Sequence, residues 1–277
     1  MIQPTLHCPC DRRFLEPAFQ YNAPPSGETS FDFAGQVYRR GYSRCNLCGH
    51  WFSDNDMDMS GLYGGAYVDN TYGARMRQTF ERILDLPPEK SDNAGRVARV
   101  LEFARTHFAA DKMPRLLDVG SGLGVFPHRM KEAGWQCTAL DPDERATRHA
   151  REVIGIEAVK GDFMQIDLAS IRPFDVVTFN KVLEHVEDPV AMLARAKPLL
   201  APGGFVYFEV PDGEAAAVEG SGREEFFIEH HHVFSPVSLI LTGERAGLSL
   251  LELRRLREPS GKYTLRSFFA AKEQRSP

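Results

Sequence analysis

From about position 114 onward, short, mostly apolar runs alternate with stretches of helical period. The runs are Leu116–Val119, Trp135–Leu140, Phe174–Phe179 and Phe205–Val210, with a shorter candidate at Glu157–Lys160, most of them bounded by Asp, Gly or Pro. Runs of this length read as strands buried on both faces. Leu248–Leu256 and Tyr263–Ala270 read as two closing strands joined by the turn Glu258-Pro259-Ser260-Gly261-Lys262. Ser91–Phe108 places Val97, Val100, Leu101 and Ala104 on one side of an amphipathic helix, and Arg75–Leu86 reads as an earlier helix stopped by Pro87-Pro88. Strands alternating with helices predict an α/β domain built on a mostly parallel sheet. Residues 1–53 lack this rhythm and are rich in Cys, Pro, Gly and aromatic residues, and 54–75 is loop-like. The expected organisation is a small module over 1–53, a linker or lid with a helix over 54–90, and the α/β domain over 91–277.

The first strand of that domain ends Leu116-Leu117-Asp118-Val119-Gly120-Ser121-Gly122-Leu123-Gly124. Glycine at every second position lets backbone approach a ligand closely, at the crevice where an open α/β sheet binds nucleotides. Asp118 inside the turn repels a pyrophosphate but can accept from an ammonium, and Val125 stands where a dinucleotide fingerprint needs its third Gly. These features predict a cationic nucleoside without phosphate, a description that S-adenosylmethionine fits. Asp141 ends the second strand about 20 residues on, where an acid binds ribose hydroxyls; Asp143 is the alternative. Asp118, Asp141 and Asp162 also read as ordinary turn or strand-end acids.

The stations downstream keep a familiar order: Gly161-Asp162-Phe163 after the third strand, Asn180 at the end of the fourth, then Leu183-Glu184-His185-Val186-Glu187-Asp188-Pro189, then Leu200-Ala201-Pro202-Gly203-Gly204. The chain thus resembles the class I S-adenosylmethionine-dependent methyltransferases. The resemblance implies a Rossmann-like, seven-stranded sheet with an antiparallel last strand. It implies a cofactor track of Asp118, Gly120, Gly122, Gly124, Asp141, Asp162, Phe163 and Asn180, with Asp162 accepting from the adenine amino group and Phe163 packing on the ring. Asn180 is not followed by Pro-Pro-aromatic, which speaks against methylation of exocyclic amines in DNA.

Four of the five cysteines lie in the first 48 residues. Cys45-Asn46-Leu47-Cys48-Gly49 has the spacing of a zinc knuckle, and Cys8-Pro9-Cys10 supplies a shorter second pair. A structural zinc on Cys8, Cys10, Cys45 and Cys48 is expected, in a zinc-ribbon-like module. His7 and His50 are spare ligands, and unbound or redox thiols are the alternative. Cys137 reads as a buried apolar filler. Such a module ahead of a methyltransferase core resembles the bacterial group that includes the sugar C-methyltransferases.

Beyond the fifth strand runs Glu229-His230-His231-His232-Val233-Phe234-Ser235. Consecutive histidines do not all face one ion, so this triplet reads as packed imidazoles or as a general base. Glu229-His230 followed by Phe234-Ser235 is similar to a segment of the sugar C-methyltransferases, which implies His230 as the catalytic base. His185 is second choice, though it also reads as packing a helix start. Tyr63, Tyr67 and Tyr72 read as a lid over the pocket, or as ordinary packing of the module.

The net charge of −5 gives no electrostatic support for a nucleic-acid partner, and no stretch approaches the length of a membrane span. No secretory leader is visible at the N-terminus, so a cytoplasmic location is expected. The resulting expectation is methyl transfer to a small-molecule acceptor, a sugar or glycan-type intermediate among the candidates. The alternatives are an RNA-modifying methyltransferase that binds through the cysteine module, and an inactive cofactor-binding protein.

Overall fold

The computed structural model describes residues 8–10, 14–28, 35–55, 57, 76–168 and 171–272. Tyr63, Tyr67, Tyr72 and His7 lie outside them. The seven-stranded sheet comprises β4 (Arg115–Val119), β5 (Gln136–Asp141), β6 (Glu157–Lys160), β7 (Phe174–Asn180), β8 (Leu200–Pro211), β10 (Leu248–Arg257) and β11 (Tyr263–Ala271). Its spatial order is β10-β11-β8-β7-β4-β5-β6. Pairings from β6 across to β8 are parallel, and the last strand inserts antiparallel between β8 and β10.

Neighbouring residues along the strands face opposite cores. Leu116, Val176 and Phe205 join one hydrophobic cluster, while Leu117, Val177 and Val206 join the other. This is why the strands read as mostly apolar runs rather than alternating ones. Helices α1 (Met76–Leu84), α2 (Asp92–His107) and α3 (Val125–Glu132) cover the first face with Phe80, Val100, Ala104, Phe126 and Met130. A short α4 (Glu144–His149) follows β5 and runs into a π-helical turn at Ala150–Ile154. On the second face α5 (Pro189–Ala196) packs Leu193 and Ala196, and α7 (Pro236–Arg245) packs Leu239. Between them α6 (Gly213–Glu219) follows β8.

One detail of this sheet differs from the sequence reading. The Pro-Gly-Gly segment belongs to β8 rather than to a turn before it: Gly203 takes φ 74°, and the pairing with β7 shifts register between Phe174 and Val176. A side chain at Gly204 would sit 2.8 Å from the Asp175 carbonyl oxygen, so only glycine admits this bulge.

The N-terminal module forms its own antiparallel sheet from β1 (Leu15–Tyr21), β2 (Arg40–Cys45) and β3 (Trp51–Asn55). That sheet is completed by β9 (His232–Val233), a strand contributed by the loop after β8, with Trp51 opposite Val233 and Phe52 opposite His232. Tyr21, Tyr42 and Trp51 of the module share a buried cluster with Phe226, Ile228 and Val233. The module is therefore packed onto the α/β domain through the same segment that carries the histidine triplet. A two-residue strand has no period to read, so nothing in the sequence pattern announced this pairing.

Candidate active site

The crevice forms at the carboxyl ends of β4, β5 and β7. Gly120, Gly122 and Gly124 all take left-handed backbone, with φ of 69°, 49° and 69°. A Cβ on Gly120 would meet Val182 at 2.7 Å, and one on Gly124 would meet Ile154 at 2.3 Å. The turn therefore demands glycine for both conformation and space. Asp118 is buried, and its Oδ1 accepts from Thr178 Oγ1 at 2.6 Å and Asn180 Nδ2 at 2.7 Å. Burial pushes its carboxyl up to about 6 despite these two donors. Asp141 is also buried and accepts from the Gly122 amide at 2.8 Å through Oδ2 and the Asp143 amide at 2.9 Å through Oδ1. Burial raises its pKa as well. Asp141 thus holds the glycine turn in place, while Asp143 serves as the N-cap of α4.

Asp162 is exposed, and its Oδ1 accepts from the Met164 amide at 2.8 Å. Phe163 is only 3 % exposed and lies edge-on to Phe179 within the core. Little of its ring is left to meet a ligand, so its visible task is to anchor the turn that presents Asp162. Lys181, just past Asn180, has φ 59°, a conformation that costs a non-glycine residue of order 1–2 kcal/mol. Its Nζ donates to Thr264 Oγ1 at 2.8 Å.

Beyond β7 a second cluster gathers. Glu184 and His185 lie in the turn after Asn180, His230 comes from the loop after β8, and one ligand atom from each lies within 4.8 Å of the others. The His185 and His230 rings meet edge to face at 4.9 Å. His185 Nδ1 donates to the Glu229 carbonyl at 2.9 Å, and His230 Nδ1 donates to the Glu225 carbonyl at 2.8 Å. Burial lowers His185 to about 4 and His230 well below the ordinary histidine range. Burial pushes Glu184 up to about 7. The Tyr42 hydroxyl meets the His230 carbonyl at 2.7 Å and the Phe227 carbonyl at 3.0 Å, so the module fixes the backbone that carries His230.

The triplet is divided. His230 enters this cluster, whereas His232 is buried and linked to the module. His232 Nε2 donates to the Glu187 carbonyl at 3.2 Å, which leaves Nδ1 to accept from His50 Nε2 at 2.9 Å; His50 Nδ1 in turn meets Ser238 Oγ at 3.0 Å. Both His50 nitrogens are thereby committed, which removes His50 as a spare metal ligand. The four module cysteines are free of disulfides and gather at one point: Cys8 Sγ is 3.0 Å from Cys10, 3.2 Å from Cys48 and 3.4 Å from Cys45, with Cys10 to Cys45 at 3.9 Å. Four convergent thiols, three of them buried, could hold a metal ion, and four thiolates suit tetrahedral zinc. Cys137 is buried in the hydrophobic core, as a filler would be.

A methyltransferase-domain family model matches residues 73–253, more than half of the chain, and the chain belongs to that family. It is similar to the ubiquinone biosynthesis O-methyltransferase of Bordetella bronchiseptica, at 40% identity over 100 residues, 34% of this chain and 41% of the relative. The chain thus spans less than half of that relative's length. The corresponding enzyme of Pseudoalteromonas translucida is 28% identical over 202 residues, 66% of this chain and 84% of the relative. Among solved structures, the fold is similar to Burkholderia thailandensis 1,6-didemethyltoxoflavin-N1-methyltransferase with bound 1,6-didemethyltoxoflavin and S-adenosylhomocysteine. The TM-score is 0.57 at 18% identity, covering 91% of this chain and 100% of that one. It is also similar to the S-adenosylhomocysteine-bound magnesium protoporphyrin IX methyltransferase of Synechocystis, with TM-score 0.56 and 14% identity over 75% of this chain and 100% of that one. Among the described residues no helix is long and apolar enough to cross a membrane.

The depressed histidine values have a direct readout. Ring-nitrogen chemical shifts followed by NMR should show His185 still neutral at pH 5, and His230 likewise. Because the unfolded chain binds these protons at about 6.5, stability contributed by the neutral rings is present above that pH and lost as pH falls below it. A titration midpoint near 6.5 for either ring in the folded protein would contradict the burial described.

Proposed function

We propose that this chain transfers a methyl group from S-adenosylmethionine to a hydroxyl oxygen of a small-molecule acceptor. The observation that carries this reading is the adjacency of two unlike environments: buried carboxylates at the ends of β4 and β5, and neutral imidazoles just beyond β7. When bound, S-adenosylmethionine supplies a sulfonium methyl whose S–C electron pair stays on sulfur as an acceptor lone pair forms the new bond. Asp118 would accept from the ammonium, Asp141 from the ribose hydroxyls and Asp162 from the adenine amino group. Asp118 takes both of its donors on Oδ1 and would offer Oδ2, while each oxygen of Asp141 and of Asp162 that takes one donor keeps a further lone pair for this. Gly120, Gly122 and Gly124 would let the backbone come close, and Asn180 would keep Asp118 aimed. Much of the rate comes from holding the two reacting atoms in line in a site that excludes water.

His230 would receive the acceptor proton at Nε2, since Nδ1–H is held by a carbonyl; His185 has the same tautomer and is the alternative. A weakly basic imidazole suffices, because a hydroxyl oxygen becomes strongly acidic as the O–C bond forms. Both rings stay neutral through the working range, so turnover should show no His-like rise with pH. The names of the relatives favour oxygen as the atom methylated. A sugar acceptor remains a second reading, favoured by the module fused ahead of the core and by Glu229-His230 preceding Phe234-Ser235. We further assign a structural zinc to Cys8, Cys10, Cys45 and Cys48, which would rigidify the module and, through β9 and Tyr42, the acceptor side.

Incubation with methyl-labelled S-adenosylmethionine and a metabolite extract, followed by mass identification of product, tests the reaction; a label that never leaves the cofactor would reject it. His230→Ala should bind S-adenosylmethionine normally and lose about 10²–10⁴-fold in turnover, whereas near-normal turnover would remove His230 from the chemistry. Metal analysis should find about one zinc per chain, lost in Cys45→Ser and Cys48→Ser. Protein prepared without chelator that carries no zinc would refute the assignment.

A further inference from the structure

We propose that Lys181 is the specificity-determining residue of the acceptor side, and that the acceptor it selects carries a carboxylate as well as the hydroxyl that is methylated. The inference deepens the function proposed above and rests on it for the placing of the acceptor. The anion site itself stands on the geometry around the ammonium.

Three observations carry it. The first is place. Lys181 follows Asn180, which holds Asp118, and leads into the turn that carries Glu184 and His185. It is half-buried at the carboxyl end of β7, and its amide donates to the Glu209 carbonyl of β8 at 3.2 Å. Burial lowers His185 and His230, and the charge of Lys181 lowers both further, so the ammonium belongs to the same side of the crevice as these rings. The second is the backbone. Among the described residues Lys181 is the one non-glycine residue in the left-handed region, at φ 59°. Glycine would take that conformation without strain, yet a long cationic side chain stands there. Strain of this kind persists where a site requires a particular group at a particular place. The third is the partner. Nζ donates to the neutral Thr264 hydroxyl at 2.8 Å, and among the described residues no carboxylate pairs with it.

The neighbouring charges are accounted for without it. Arg96 and Arg266 both pair with Glu209, and Arg266 pairs with Glu258 as well. Two guanidiniums thus balance two carboxylates, and Lys181 is left over. Burial pushes Glu184 up to about 7 against the pull of Lys181, so this acid is only partly ionised at neutral pH. A half-buried ammonium with a hydroxyl as its hydrogen-bond partner gains most from an anionic oxygen, through a charge-assisted hydrogen bond. One ammonium matches one negative charge. A phosphate, nearly doubly charged at neutral pH, would need a second cation, and both nearby guanidiniums are committed. A carboxylate therefore fits the site. Anchored at that end, the acceptor would be turned with its hydroxyl toward His230 and the methyl group. Neutral compounds of the same size would lack the anchor.

Two matched pairs of probes test the site by NMR titration of the full chain loaded with S-adenosylhomocysteine. The pairs are 4-hydroxybenzoate against phenol and glucuronate against glucose, which set a carboxylate against its neutral twin on an aryl and on a sugar frame. In at least one pair we expect the carboxylate to bind about tenfold or more tightly. That preference should vanish in Lys181→Met, which keeps the length and removes the charge, and persist in Lys181→Arg. An unchanged unfolding midpoint and unchanged S-adenosylmethionine affinity in Lys181→Met would show that fold and cofactor site are intact. Equal binding within both pairs, or a preference that survives in Lys181→Met, overturns the proposal. Once labelling identifies the acceptor, Lys181→Met should raise its KM about tenfold or more with a smaller change in kcat; a methylated product without a carboxylate also overturns the proposal. The probe titration needs no turnover, so its failure is distinct from failure of the methyltransferase reading. A Lys181-dependent carboxylate preference in a protein that never transfers the label would reject that reading and leave the anion site standing.

Discussion

The candidate cofactor site depends on two carboxylates kept from water at the ends of adjacent parallel strands. Asp118 takes its donors from Thr178 and Asn180 on β7, and so locks the ends of β4 and β7 together. Asp141 takes the Gly122 amide and so fixes the glycine turn against β5. Among the described residues neither acid has a cationic side chain as hydrogen-bond partner, and burial raises both. The arrangement is a pair of charges held ready at a desolvation cost that a cationic ligand would relieve. Contrast Glu209 at the end of β8. Burial works against its ionisation too, yet Arg96 and Arg266 hold it at about 2. Glu209 is paired with cations within the fold, whereas Asp118 and Asp141 are held by neutral donors alone.

The acceptor side is built differently. His230 sits on a loop, and loops place side chains loosely unless something braces them. Here the brace is the N-terminal module. Tyr42 binds the His230 carbonyl, β3 pairs with β9, Ser235 Oγ donates to the Cys48 carbonyl, and Arg245 reaches the Cys8 and Pro9 carbonyls. A chain of buried Ser238, His50 and His232, ending on the Glu187 carbonyl, runs across the same junction. A cysteine cluster far in sequence from His230 is thereby joined to it in space.

Much of the α/β domain was legible because its strands are buried on both faces and its glycine turn has a narrow physical meaning. Leu116–Val119 and Phe174–Asn180 read as buried strands from their apolar runs, and they pair side by side in the sheet. The pairing of His230 with Glu184 and His185 could not, because it depends on where a long loop returns. Glu184 lies in a polar stretch whose pattern does not announce its burial. The division of the triplet was equally hidden: adjacent histidines look alike, and only the β9 pairing sends His232 to the module and His230 to the crevice. Phe163 was read as a ring for the adenine, but its place against Phe179 follows from a core that no local pattern describes. The cysteine cluster was legible from spacing alone, whereas the commitment of His50 to His232 was not.

The central claim is that Asp118 is a buried carboxylate awaiting a cationic ligand. Calorimetric titration with S-adenosylmethionine from pH 7.5 to 5 tests it most directly. With the free carboxyl near 6, binding to the ionised form must release a proton below that pH. Affinity should therefore hold above pH 6 and fall toward about tenfold per unit below it, and Asp118→Asn should bind weakly at every pH without that fall. Affinity independent of pH in the unsubstituted protein, or the same fall persisting in Asp118→Asn, would contradict the account.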